Sequence, residues 1–222
     1  MIEMTPDRWS YTSNYLQRVF GGEDEILATL SDRAKEAGLP DIAISADVGR
    51  LLSVLASTTR ARSMLEVGTL AGYSAIWLAR ALAPGGRLTT LEKNPTHAQF
   101  AEATFARAGL GAQIEVITGD ALETLPTVLD RGPFDVVFFD AVKADYLRYY
   151  QYVRDAVAVG GLILADNVTG SSSWWIDQED DDTRRAVDAF NRTIAADPLF
   201  ETACVPIRQG VLIARKRASE EI

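Results

Sequence analysis

Apolar residues recur at three- and four-residue steps through the first quarter of the chain, with Leu27, Leu30, Ala34 and Ala37 on one face. That spacing predicts helix across residues 9–60, closed once at Gly38-Leu39-Pro40 and resumed from Ala46 to Ser57, where Val48, Leu51, Leu52 and Leu55 share a face. The period then changes. The short apolar run at residues 63–67, ending at Gly68, reads as a buried strand, and residues 87–91, 113–117, 134–140 and 162–166 read as further strands. Between them lie helical stretches at 74–83, 95–108, 121–129 and 146–159, punctuated by Pro84-Gly85-Gly86, Gly109 and Gly160-Gly161. A last helix is expected over 183–195, and then two strands, 200–206 and 210–215, with no helix between them. Strand–helix alternation implies a parallel sheet with helices on both faces, and the closing pair must be a hairpin with an antiparallel edge. The expectation is one α/β domain over residues 1–222: an N-terminal helical extension (1–60) and a doubly wound, mostly parallel seven-stranded core (61–217).

Composition narrows the class. The 222 residues are 47% hydrophobic and 24% charged, ordinary globular usage. A net charge of −9 argues against nucleic acid, whose binders present a basic face. The single cysteine, Cys204, permits no internal disulfide and fits a reducing cytoplasm. No run of 18 apolar residues suggests a membrane span, and Met1–Arg8, with Glu3 and Asp7, does not read as a secretory signal.

In an open parallel sheet, ligands sit at the carboxyl ends of the strands, where the strand order reverses. Each of the first five strands ends on an acid: Glu66, Glu92, Asp120, Asp140 and Asp166. Glu66-Val67-Gly68-Thr69-Leu70-Ala71-Gly72-Tyr73-Ser74 is a glycine turn from strand to helix that admits close approach of a ligand, although its spacing is not the G-x-G-x-x-G dinucleotide pattern. A plain tight turn explains the same residues as well. Glu92 suits the two hydroxyls of a ribose; the competing reading is a loop charge paired to Lys93. Asp120, with Ala121, is placed to meet an adenine and equally to cap the next helix.

Asp140, Asp166 and Asn167 form the sharper set. Neighbouring strands run about 4.8 Å apart, so two carboxylates and an amide oxygen converge, a donor set for Mg²⁺, Mn²⁺ or Ca²⁺ rather than zinc. The lone His97 reads as a surface residue at a helix start. Lys143, three residues past Asp140, is a candidate general base or an ordinary surface lysine.

Together these motifs resemble the cation-dependent O-methyltransferases, the catechol and caffeoyl-CoA family with its small bacterial relatives. The likeness runs from about Tyr15 to Lys216. It is carried by Leu65-Glu66-Val67-Gly68-Thr69, Gly119-Asp120-Ala121, Phe139-Asp140-Ala141 with Lys143, Tyr146 and Tyr150, Ala165-Asp166-Asn167-Val168, and Asp197-Pro198. The resemblance implies a Rossmann-like fold and S-adenosylmethionine as cofactor, with Glu66, Gly68, Thr69 and Ser74 at its methionine end. It puts Glu92 on the ribose, Asp120 and Ala121 on the adenine, and Asp140 beside both cofactor and metal. It further implies a divalent cation, Mg²⁺ first, on Asp140, Asp166 and Asn167, with Lys143 taking the proton of a small aromatic acceptor with vicinal hydroxyls. The N-terminal helices resemble the part that pairs subunits or covers the site in this family, so a homodimer is also implied.

Trp174 and Trp175 fall where the family's substrate lid varies, and they read either as an aromatic wall for a flat acceptor or as packing residues. Relatives that methylate modified tRNA offer a second substrate class, disfavoured by the acidity. A nucleotide-binding oxidoreductase is disfavoured by the missing G-x-G-x-x-G and Tyr-x-x-x-Lys patterns, and a non-catalytic cofactor binder by the retained ligands and Lys143.

Overall fold

The computed structural model describes residues 5–170 and 181–221. Three helices come first: α1 (Pro6–Phe20), α2 (Glu25–Glu36) and α3 (Ala46–Thr58). Thr5 and Asp24 cap α1 and α2 by accepting from the backbone N–H of Arg8 and Leu27. Helix α1 buries none of its residues and leaves Tyr11, Val19 and Phe20 exposed, whereas α2 and α3 bury Leu27, Leu30, Val48 and Leu52.

The core alternates β1 (Ser63–Val67), α4 (Tyr73–Ala79), β2 (Arg87–Glu92), α5 (Pro95–Arg107), β3 (Ile114–Thr118), α6 (Ala121–Val128), β4 (Phe134–Phe139), α7 (Tyr146–Val153), β5 (Val157–Asp166) and α8 (Asp182–Ala196), closing with β6 (Phe200–Val205) and β7 (Val211–Lys216). The seven strands run in the order β3-β2-β1-β4-β5-β7-β6; β7 is antiparallel to both β5 and β6. Successive strand residues feed opposite layers. Met64, Val136, Phe138 and Leu164 pack with α2–α5, while Leu65, Val137, Phe139 and Ile163 pack with α6–α8. Burial on both faces is why these strands read as unbroken apolar runs. Among the described residues no helix is long and apolar enough to cross a membrane.

One expectation fails in the middle of the core. The stretch 146–159 is not a single helix: α7 stops at Val153, and Gly160-Gly161 lies inside a ten-residue strand. The β4–β5 register jumps from Phe134↔Val157 to Val136↔Leu162, so extra residues bulge out on β5. Gly160 takes φ +77°, and a Cβ on Gly161 would lie within about 3.0 Å of the carbonyl oxygens of Ala158, Asp135 and Phe134. The glycine pair marks a bulge, not a helix stop. Helix α4 likewise ends at Ala79, short of the expected residue 83.

The order of strands reverses between β1 and β4, and there the backbone is tightly joined. Asp140 N–H donates to Val67 O at 2.9 Å, and a Cβ on Gly68 would sit 2.4 Å from the Asp140 carbonyl oxygen. Gly68, at φ +100°, is therefore required for the two strand ends to approach.

Candidate active site

A cavity of about 850 Å³ opens at this switch point. Its wall includes Gly68, Thr69, Ser74, Glu92, Asp120, Ala121, Asp140, Lys143 and Asn167, nine of the residues singled out from sequence. The loop 40–44 between α2 and α3 lies along it, as do Tyr73, His97, Val142, Asp145, Tyr149 and Arg208.

Glu92 holds the glycine turn in shape. Its Oε2 accepts from the N–H groups of Thr69 (3.2 Å) and Leu70 (2.8 Å), and its Oε1 accepts from Asn94 N–H (2.9 Å). Lys93 does not pair with it; Lys93 Nζ donates to Asp120 Oδ2 at 2.8 Å. His97 takes that place instead, half-buried on the cavity wall with Nδ1 3.5 Å from Glu92 Oε1, which corrects its reading as a surface residue. Asp120 caps α6, Oδ1 accepting from Leu122 N–H, and the residue also lines the cavity.

Glu66 stands apart from the other four acids. It is 0% exposed and lies behind the cavity wall, accepting from Ser74 Oγ and Thr90 Oγ1, both at 2.6 Å. Direct contact with a ligand, the sequence expectation, is replaced by support of Ser74, which does line the cavity. Burial, reinforced by the nearby charges of Asp140 and Glu92, pushes its carboxyl up to about 8, against the two donated hydrogen bonds. The folded state thus keeps a proton that the unfolded chain releases near its ordinary value of 4.5. Stability is undiminished by this group below that value and falls as pH rises from about 4.5 to about 8. Glu66→Gln, which has no proton to lose, should gain in melting temperature relative to the natural chain as pH climbs through this window. Scanning calorimetry of both proteins from pH 5 to pH 8 checks it, and parallel curves would refute it.

The ends of β4 and β5 make the second half of the site. Register pairs Phe139 with Ala165, so Asp140 and Asp166 follow on adjacent strands. The Tyr146 hydroxyl pins these ends together, 3.0 Å from both the Phe139 and the Asp166 carbonyl oxygens. Burial holds that phenol well above its ordinary range, so it stays a donor. Lys143 Nζ donates to Asp140 Oδ1 and to the Tyr146 hydroxyl, each at 2.7 Å. Asn167 sits at φ +60°, a left-handed conformation that asparagine tolerates; its amide nitrogen donates to Gln209 Oε1 at 3.4 Å, which leaves its Oδ1 for the site.

Asp166 is 1% exposed and just behind the wall. Its Oδ1 is buried with no hydrogen-bond partner among the described residues. Burial and the neighbouring Asp140 charge push its carboxyl up to about 6, with Lys143 and Arg208 pulling the other way. Two adjoining acids with an orphaned oxygen and an amide oxygen beside them fit a hard divalent cation, which would relieve both the repulsion and the missing bond. Trp174 and Trp175 lie outside the described residues.

A family model described as O-methyltransferase matches residues 17–217. The chain belongs to the O-methyltransferase family. This O-methyltransferase is 44% identical over 157 residues to a catechol O-methyltransferase of Niastella koreensis, covering 70% of the chain and 71% of that relative. It is 42% identical over 168 residues to a catechol O-methyltransferase of Mycobacterium tuberculosis, 76% of each. Among solved structures, an O-methyltransferase from Bacillus cereus in complex with SAH superposes with a TM-score of 0.87 at 31% identity, over 95% of this chain and 99% of that one. An O-methyltransferase from Streptomyces achromogenes involved in tomaymycin synthesis, in complex with SAM, gives 0.86 at 34% identity, over 97% and 100%.

Sequence reasoning missed Arg208, Tyr73, Tyr149 and the loop 40–44. Arg208 belongs to the β6–β7 turn, which reaches the site only because β7 lies beside β5. The phenols and the loop carry no motif.

Proposed function

We propose that this O-methyltransferase transfers the methyl group of S-adenosylmethionine to one hydroxyl of a catechol-like aromatic acceptor, aided by a divalent cation. The observation that carries this reading is one cavity holding Asp140, Asn167 and Lys143 at one end and Glu92 and Asp120 at the other, with Asp166 directly behind. The bound SAH and SAM of the similar structures and the catechol names of the similar chains support it. The glycine turn and Ser74 receive the amino-acid end of the cofactor, Glu92 Oε1, which accepts one backbone N–H, meets the ribose, and Asp120 meets the adenine.

Asp140, Asp166 and Asn167 would hold the cation, which supplies acidification and fixing of a phenolic oxygen when bound. The chain's own groups do the rest. Lys143 Nζ stands at the cavity wall as proton acceptor for the acceptor hydroxyl. As that O–H bond breaks, the oxygen forms its bond to the methyl carbon, the carbon–sulfur bond breaks, and S-adenosylhomocysteine leaves with the sulfur lone pair. Asp140 and Tyr146 hold Nζ in place, so alignment of oxygen, methyl and sulfur provides much of the acceleration. Methyl transfer from S-adenosylmethionine to a panel of catechols in Mg²⁺ buffer tests the reading: methoxyphenol product supports it, and its absence across the panel removes it.

A further inference from the structure

Arg208 stands out among the basic residues of the cavity. Lys93 is paired to Asp120, Lys143 to Asp140 and Tyr146, and His97 lies against Glu92. Arg208 makes no hydrogen bond among the described residues. Its Nη1 is buried without a partner, and the nearest carboxylate oxygen, Asp166 Oδ2, is 3.9 Å away, beyond hydrogen-bond distance. Its side chain is 28% exposed, so a molecule in the cavity can reach it.

The backbone adds a second, independent sign. Arg208 sits at φ +48°, in a turn closed by Gly210 N–H donating to Ile207 O at 2.9 Å. A glycine would occupy that conformation without strain, and non-glycine residues held there cluster at functional sites. The turn therefore carries both backbone strain and a guanidinium whose nearby carboxylate lies beyond hydrogen-bond distance.

We propose that Arg208 is a specificity residue that binds a carboxylate on the aromatic acceptor, so that catechol acids are preferred over neutral catechols. The proposal rests on the catechol reading above. Guanidinium presents a planar fork of donors matched to a carboxylate, which a solitary lysine does not. Charge balance points the same way. Even without Lys143, which serves as the proton acceptor, Arg208, a sulfonium and a divalent cation would together outweigh the charges of Asp140 and Asp166, which favours an acceptor that brings negative charge. Ile42 and Val142, both on the cavity wall and exposed, supply apolar surface for a ring. Simple neutralisation of Asp166 is the competing role, and it predicts no dependence on the acceptor's charge.

The test is the ratio of kcat/KM for 3,4-dihydroxybenzoate to that for its neutral amide, in the natural enzyme, Arg208→Gln and Arg208→Gly. The glycine variant relieves the backbone, so loss of fold does not mask the answer. A carboxylate bound through charged hydrogen bonds should favour the acid by roughly tenfold to a hundredfold, and the ratio should fall to near one in both variants. A ratio near one in the natural enzyme, or a ratio unchanged by the substitutions, overturns the proposal. Should neither compound be methylated, the catechol reading fails and Arg208 is judged separately with benzoate, followed by NMR line broadening in the natural protein. Benzoate binding that Arg208→Gly abolishes supports the anion site, and binding that is absent or unaffected overturns it.

Discussion

Lys143→Met should lower kcat by about 10²–10⁴-fold while leaving S-adenosylmethionine affinity nearly unchanged, the usual range for loss of a positioned general base. The lysine is held between two partners, Asp140 Oδ1 and the Tyr146 hydroxyl, each at 2.7 Å, and its side chain is only 13% exposed. Both partners are fixed in turn: Asp140 N–H is bonded to Val67 O, and the Tyr146 hydroxyl bridges the ends of β4 and β5. A group this constrained delivers its nitrogen to one point on the cavity wall. Lys143→Arg separates proton transfer from simple charge. Arginine keeps the positive charge but does not release its proton in proteins. If Nζ accepts the hydroxyl proton, the arginine variant is as impaired as the methionine variant. Substantial activity in Lys143→Arg would reduce the residue to an electrostatic role. Single-turnover rates with cofactor prebound, alongside calorimetric cofactor titrations, check both halves.

Asp166→Asn should move stability and function in opposite directions. The carboxylate is buried, lacks a partner for Oδ1 and faces the Asp140 charge, so its ionised form is disfavoured in the folded chain. Removing that charge eases a local conflict, and the metal-free variant should melt no lower than the natural protein in chelator. The same change removes one of the two carboxylates of the cation site. With several kcal/mol of transition-state stabilisation at stake, turnover should fall by roughly 10²–10³-fold. Mn²⁺ affinity, read by electron paramagnetic resonance without any turnover, should weaken in parallel. A variant that binds Mn²⁺ as tightly as the natural protein would take Asp166 out of the cation site. Conflicts that cost the fold and serve a site are where local sequence rules are expected to fail.

The legibility of the site follows from how each residue is positioned. Acids at the carboxyl ends of β1 to β5 were readable because each stands at or just past the end of a strand, and for β1, β4 and β5 a buried apolar run announces where that end comes. Asp140 and Asp166 were brought together by strand adjacency alone, and the β4–β5 register agrees. Glu66 was readable as present but not as turned inward, since its partners Ser74 and Thr90 come from two other elements. His97 and Arg208 were opaque for the same reason. One depends on the carboxylate of Glu92 lying across from the start of α5, the other on a hairpin that crosses back over 40 residues to flank Asp166. Gly160-Gly161 carried a stop signal without saying which element stopped, and only pairing with β4 assigns it to a strand.

Methyl transfer measured before and after chelation tests the central claim most directly. The enzyme is stripped with EDTA, supplied with S-adenosylmethionine and a catechol, and then titrated with Mg²⁺. If Asp140, Asp166 and Asn167 form a working cation site, product formation is lost in EDTA and returns with added Mg²⁺. Undiminished methylation in the stripped enzyme would contradict it.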